Sequence, residues 1–89
     1  MVTVTFTPNI QRHVSCPPAE VSGATVAEAL AAVFAGNAQA RGYVLDDQGG
    51  LRQHMRIFVN GVPIIDRERL SDPLGAESEI QVMQALSGG

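Results

Sequence analysis

The sequence contains no lysine, no tryptophan and only one cysteine in 89 residues. A protein that binds mainly nucleic acid needs clustered lysine and arginine to meet the phosphate backbone. This chain has six basic residues, all arginine, and a net charge of -3. We therefore expect no nucleic acid among its main partners. The lone Cys16 can form no internal disulfide and supplies no zinc framework.

Long hydrophobic runs are also absent. No apolar segment approaches the roughly 18 residues that a membrane span needs, and the start, Met1-Val2-Thr3-Val4, has no basic, apolar and small-residue pattern of a signal peptide. We expect a soluble cytoplasmic protein without a membrane partner. The length predicts one domain with a single modest core.

The first elements that the sequence predicts are a strand and then a helix. Residues 2–6 alternate valine or phenylalanine with threonine, which is the period-two pattern of a half-buried strand. Thr25 and Glu28 have the spacing of a capping box at a helix N-terminus. One apolar stripe continues from there, and Gly36-Asn37 supplies the stop signal. The stripe consists of Val26, Leu30, Val33 and Phe34.

The remaining pattern is shorter and partly ambiguous. A second strand comes from 13–15 or from 19–21, and Pro17-Pro18 keeps it at a sheet edge. Residues 41–45 favour an irregular or short extended segment. Further strands are predicted at 55–60, 62–65 and 79–83, with a turn at Asn60-Gly61. We expect an α+β fold, with one main helix packed on one face of a small mixed sheet.

Strand phase predicts which side chains form the core. We expect six residues to be almost fully buried: Leu30, Phe34, Ile57, Val59, Ile80 and Val82. Phe58 and Met83 alternate with that set and should lie on the outer face of the sheet. They form a candidate partner-binding surface, which Leu86 could extend into the tail.

The other residues of reactive types are predicted to have structural or solvent-exposed roles. Cys16 is predicted to be an ordinary buried or edge cysteine. His13 and His54 have no local partner at metal-ligand spacing. Asp46-Asp47 is predicted to form a solvated turn, and the alternating charges of 66–69 a solvated surface or brief helical turn.

The last two residues are Gly88-Gly89. A glycyl carboxylate at the end of a flexible segment is unhindered, because glycine has no Cβ. Such a group can enter a narrow enzyme channel. The alternative is a frayed, glycine-rich end.

Taken in order, these motifs resemble the ubiquitin-like β-grasp sulfur carriers of the MoaD/ThiS family. The resemblance rests on the opening strand, the capped helix, Ile57-Phe58-Val59-Asn60-Gly61, the final strand and Ala85-Leu86-Ser87-Gly88-Gly89. It implies a β-grasp domain over residues 1–86 and a flexible tail over 87–89. The chain is longer than a ThiS-type thiamine carrier, which favours a CysO-like carrier or the small subunit of molybdopterin synthase, with the long 37–50 segment favouring the CysO-like set.

The resemblance implies that the chain is a protein co-substrate and not an enzyme. An adenylating partner, similar to ubiquitin-activating enzymes, would join the Gly89 carboxylate to AMP, and a sulfur donor would convert it to a thiocarboxylate. Ser87 and Gly88 would occupy the partner's channel. ATP belongs to the partner, and no bound cofactor or metal is expected.

The thiocarboxylate would pass its sulfur to an acceptor enzyme, with cysteine or another sulfur metabolite favoured as the product. The free carrier would be a monomer. A protein modifier joined through Gly89 to lysines of target proteins starts from the same adenylate. A permanent synthase subunit and a binding module with an inert tail also remain open.

Overall fold

The computed structural model describes residues 1–85, which form one five-stranded sheet and three helices. In chain order the elements are β1 (Val2–Phe6), α1 (Pro8–Gln11), β2 (Ala19–Val21), α2 (Val26–Phe34), α3 (Ala38–Val44), β3 (Met55–Val59), β4 (Val62–Pro63) and β5 (Glu79–Gln84). The strand order is β2-β1-β5-β3-β4, with β1 and β5 parallel and every other pair antiparallel. The predicted α+β architecture with a mixed sheet is confirmed.

The capped helix begins where the sequence predicts. The Thr25 hydroxyl accepts the N–H of Glu28 at 3.2 Å, and the Glu28 carboxylate accepts the N–H of Ala24 at 2.9 Å. These bonds satisfy N–H groups that have no partner inside the helix. The helix ends at Phe34, and it buries Val26, Ala29, Leu30 and Phe34. Val33, predicted in the same stripe, is only partly buried against the core.

The prediction of an irregular or extended segment at residues 41–45 is wrong for residues 41–44, which belong to α3. Leu45, which follows the helix, is extended and bridges to Leu51. The Asn37 side chain, predicted only to stop α2, accepts the N–H of Ala40 at 3.1 Å and so caps the next helix. Gly42 and two β-branched or aromatic residues lower the intrinsic helix propensity here. Burial of Ala40 and Val44 in the core compensates for that weakness.

Between β1 and α2, the chain makes one short helix and one edge strand. Pro8 occupies the first turn of α1, where a missing N–H costs nothing, and Ile10 is buried. The sequence pattern did not predict this helix. Of the two alternatives for the second strand, residues 19–21 form β2, at the sheet edge as the preceding prolines require.

The inner face of the sheet forms the core with the helices. Ile57, Ile80 and Val82 are almost fully buried, so the predicted strand phase is correct. Val59, predicted to be equally buried, is only half-buried. On the edge side its neighbour across the ladder is Val62 of the two-residue strand β4, which is itself 63% exposed.

The loops follow the expected turn chemistry. Asn60 and Gly61 both have positive φ, at 51° and 82°, as the two-residue hairpin turn between β3 and β4 requires. The Asp66 carboxylate accepts the N–H groups of Glu68 and Arg69 and the hydroxyl of Ser71, and so closes the predicted turn. Among residues 1–85, no helix is long and apolar enough to cross a membrane.

Candidate functional site

The candidate site lies where the central strand β5 ends. This strand pairs with β1 on one side and with β3 on the other. Beyond it, the N–H of Ala85 donates to the carbonyl oxygen of His54 at 2.8 Å. The predicted reactive residues Ser87, Gly88 and Gly89 and the predicted surface residue Leu86 lie outside the described residues, so the predictions made for them stay predictions.

A tyrosine that sequence reasoning missed holds the end of β5. The hydroxyl of Tyr43, on α3, donates to Oε1 of Gln84 at 2.8 Å. The imidazole of His13 stacks on the tyrosine ring, with centroids 5.5 Å apart, and His54 meets the ring edge at 6.5 Å. This is the single tyrosine of the chain, but its segment was not predicted to be helical.

The outer face of the sheet carries the two predicted surface residues. Met83 is 37% exposed and pairs with Arg56 across β3. Phe58 pairs with Gln81 and is half-buried. The register therefore places Phe58 and Met83 as diagonal neighbours on one face. The backbones of such diagonal neighbours are typically about 7–8 Å apart. Their position on the outer face is as predicted.

Phe58 has a neighbour on each side in the sheet. Gln81 of β5 lies opposite it on one side. The residue directly opposite Phe58 on its other side is Pro63 of β4. Docking by Phe58 and Met83 stays a prediction.

Two further apolar side chains are exposed near the sheet edge, and sequence analysis assigned neither of them a surface role. Val62 is 63% exposed and Ile65 is 91% exposed. Val62 pairs with Val59, so it belongs to the inner side of the sheet and not to the face of Phe58. Val62 therefore does not extend the surface formed by Phe58 and Met83.

Residues predicted to be chemically inert occupy structural positions. Cys16 is buried, and desolvation raises the pKa of its thiol. The Asp46 carboxylate accepts the N–H groups of Gln48 and Gly50, which closes a turn. Within residues 1–85, no group of three histidine, cysteine, aspartate or glutamate side chains could hold a metal ion.

The sequence is similar to one known protein family over most of its length. A sequence model of the ThiS family matches residues 16–89, which is most of the chain and includes the terminal glycines. The chain belongs to the ThiS family. Comparison with curated proteins finds no match of significance.

Solved structures show the same fold as this ThiS-family chain. A chain of the Amycolatopsis orientalis BexX/CysO complex is 21% identical, with a TM-score of 0.82 and 100% of both chains covered. Mycobacterium tuberculosis CysO is 18% identical, with a TM-score of 0.79, covering 97% of this chain and 100% of that one.

The small archaeal modifier protein 1 of Methanosarcina acetivorans is 22% identical, with a TM-score of 0.80, covering 99% and 95% of the two chains. At these identities the similarity establishes the ubiquitin-like β-grasp fold, which confirms the fold expected from the sequence.

Proposed function

We propose that this chain is a sulfur carrier that acts through the carboxylate of Gly89. The observation that carries the proposal is the ThiS-family match, because it extends through Gly88 and Gly89. Gly89 is four positions beyond Ala85, the last described residue, whose N–H donates to the carbonyl oxygen of His54. Four extended residues span about 14 Å at most, so a partner that reaches Gly89 also lies close to the sheet.

The chemistry takes place in two steps on a partner enzyme. A carboxylate oxygen of Gly89 attacks the α-phosphorus of ATP, and pyrophosphate leaves. Hydrosulfide then attacks the carbonyl of the acyl adenylate, the bond between the carbonyl carbon and the phosphate oxygen breaks, and AMP leaves. The product is a thiocarboxylate, whose sulfur is nucleophilic and available to an acceptor enzyme.

The domain contributes binding and orientation to this chemistry. Phe58 and Met83 present an apolar surface beside the end of β5, which suits a protein partner. The Tyr43–Gln84 hydrogen bond and the Ala85–His54 hydrogen bond hold the residues from which the tail departs. The chain is therefore a co-substrate, and the partner supplies the catalytic groups.

The family similarity is compatible with several reactions of the same acyl adenylate. The similarity to a small archaeal modifier protein supports an amide bond from Gly89 to a lysine of another protein. The similarity to CysO supports sulfur delivery, and we favour cysteine or another sulfur metabolite as the product. A molybdopterin synthase small subunit would instead remain bound to its large subunit, which size-exclusion chromatography would detect.

Intact mass spectrometry tests the proposal. The chain is incubated with a purified adenylating enzyme, ATP and sulfide, and the carrier should gain the mass difference between sulfur and oxygen. The Cys16→Ala variant makes the product easier to identify, because the thiocarboxylate then becomes the only thiol-like group for an alkylating reagent. An unchanged mass with every candidate adenylating enzyme would refute sulfur carriage, and a mass shift by a whole substrate protein would support the modifier.

A further inference from the structure

Two arginines of this acidic chain direct their side chains to one short backbone segment, and a third lies on that segment. The guanidinium of Arg67 donates from Nη2 to the carbonyl of Arg52 at 3.0 Å and to that of Gln53 at 3.4 Å. Arg56 donates from Nη1 to the carbonyls of Gln53 at 2.9 Å and Met55 at 3.0 Å. We call Arg52, Arg56 and Arg67 the arginine cluster.

The cluster is not neutralised inside the domain. In residues 1–85 the only ion pair joins the N-terminal ammonium to Glu77 at 3.7 Å, so none of the three arginines has a carboxylate within 4.0 Å. Burial, and secondly repulsion by Arg56, lower the pKa of Arg67. Like charges are held together here without an internal counter-charge.

Most of the hydrogen-bonding capacity of the cluster is unused. Each guanidinium has five N–H donors in a planar fork. In the described residues the Arg52 side chain uses only Nε, which donates to the carbonyl of Gly42 at 2.9 Å. Arg56 uses only Nη1 and Arg67 only Nη2. The remaining donors match the two oxygens of a carboxylate.

The location of the cluster relates it to the tail. His54 of the same segment accepts the N–H of Ala85, so this segment lies beside the last described residue before the tail. Arg56 pairs with Met83 on the outer face, so Arg56 adjoins the Phe58–Met83 surface. An open groove of about 930 Å³ lies beside Arg52 and Arg67. The acidic residues along it are Asp46 and Glu68, and Asp46 is engaged by backbone N–H groups.

We infer that the arginine cluster docks acidic side chains of the adenylating partner, at the rim of the channel that receives the tail. This inference rests on the proposed function. The groove suits a protein surface, and an extended tail of about 14 Å carries the adenylate phosphate away from the cluster. Because the whole chain is acidic, with a net charge of -3, an acidic partner is attracted only where positive charge is concentrated.

The kinetics of thiocarboxylate formation test the inference. The Arg52→Glu/Arg56→Glu variant should lower kcat/KM for thiocarboxylate formation by about tenfold or more, through KM, because opposite charge mainly speeds encounter. Rising salt should slow the wild type and have less effect on the variant. The single variants Arg52→Glu and Arg56→Glu are compared with the control Arg12→Glu, which makes the same charge change at an exposed residue following α1. Arg67→Lys, which keeps the charge, should fall between wild type and variant.

A second measurement tests the arginine cluster without any enzyme. It is needed if no adenylating enzyme converts the wild type to the thiocarboxylate, a result that would count against the proposed function alone. A hexaglutamate peptide is titrated into isotopically labelled protein, with ATP and inorganic phosphate as parallel arms. Amide shifts at Arg52, Gln53 and Arg67 that the peptide causes support the inference. No shift with the peptide, stronger binding of ATP or phosphate there, or equal kcat/KM for the single charge-reversed variants and the Arg12→Glu control would overturn it.

Discussion

The hydroxyl of Tyr43 donates a 2.8 Å hydrogen bond to Oε1 of Gln84, the last residue of the central strand. Helix α3 is therefore tied to the point where the chain leaves the domain. One residue further on, the backbone of Ala85 is tied to His54. Two separate hydrogen bonds thus hold the last two described residues, Gln84 and Ala85, against the rest of the domain.

Replacing Tyr43 with phenylalanine removes the first of these hydrogen bonds and keeps the ring. We expect the free energy of unfolding to fall by ~0.5–1.5 kcal/mol, the usual net value of such a bond. Amide exchange at Ala85 should become faster, because the strand end is held less firmly. A double-mutant cycle with Gln84→Ala measures the coupling, and additive effects of the two changes would contradict it.

The length of the tail should matter for chemistry and not for stability. Deleting Gly89 moves the carboxylate back by up to ~3.3–3.6 Å, which is more than a near-attack geometry tolerates. Adding one alanine after Gly89 brings a Cβ into a channel suited to glycine. Both variants should lose thiocarboxylate formation in the mass assay and keep the wild-type melting temperature. Normal yield from either variant would refute the role given to Gly89.

Replacing each of the two outer-face residues with alanine should lower the free energy of unfolding by different amounts. Met83→Ala should change the free energy of unfolding by less than ~1 kcal/mol, because the side chain is exposed. Phe58 is half-buried, so Phe58→Ala should cost more, about 1–2 kcal/mol. Calorimetry with the adenylating enzyme should show weaker binding for both variants. Affinity equal to wild type in both would remove the Phe58–Met83 surface from the proposal.

Acid should destabilise the turn that Asp66 closes. The Ser71 hydroxyl and the backbone N–H of Arg69 lower the pKa of Asp66 from 3.8 to about 2. A carboxyl whose pKa is lower in the folded state stabilises the fold above its unfolded pKa. That stabilisation is lost as the pH falls from about 4 to about 2.

The Asp66→Asn variant has no such titration, so its stability should fall less than that of the wild type over this pH range. Urea denaturation at several pH values measures the difference. Asp47→Asn is the matched control, because Asp47 is exposed and makes no side-chain hydrogen bond within residues 1–85. Parallel curves for Asp66→Asn and wild type would contradict the prediction.

Local signals determined much of the fold. Alternation along β1, β3 and β5 predicted which side chains face the core, since a strand's period of two cannot be changed without exposing every apolar residue on it. Thr25 and Glu28 located the start of α2, because capping bonds join residues only a few positions apart. The family resemblance likewise depended on the order of such local motifs and on Gly88-Gly89.

Only the tertiary structure decided the surroundings of the tail. Tyr43 and Gln84 are 41 positions apart, and Arg67 is 15 positions from the carbonyl it binds at Arg52. Helix α3 has weak intrinsic propensity and is stabilised by burial against the core. These contacts arise because β5 inserts between β1 and β3, which brings distant segments to one end of the sheet. No local pattern records that insertion, since its energy comes from pairing and burial across the whole fold.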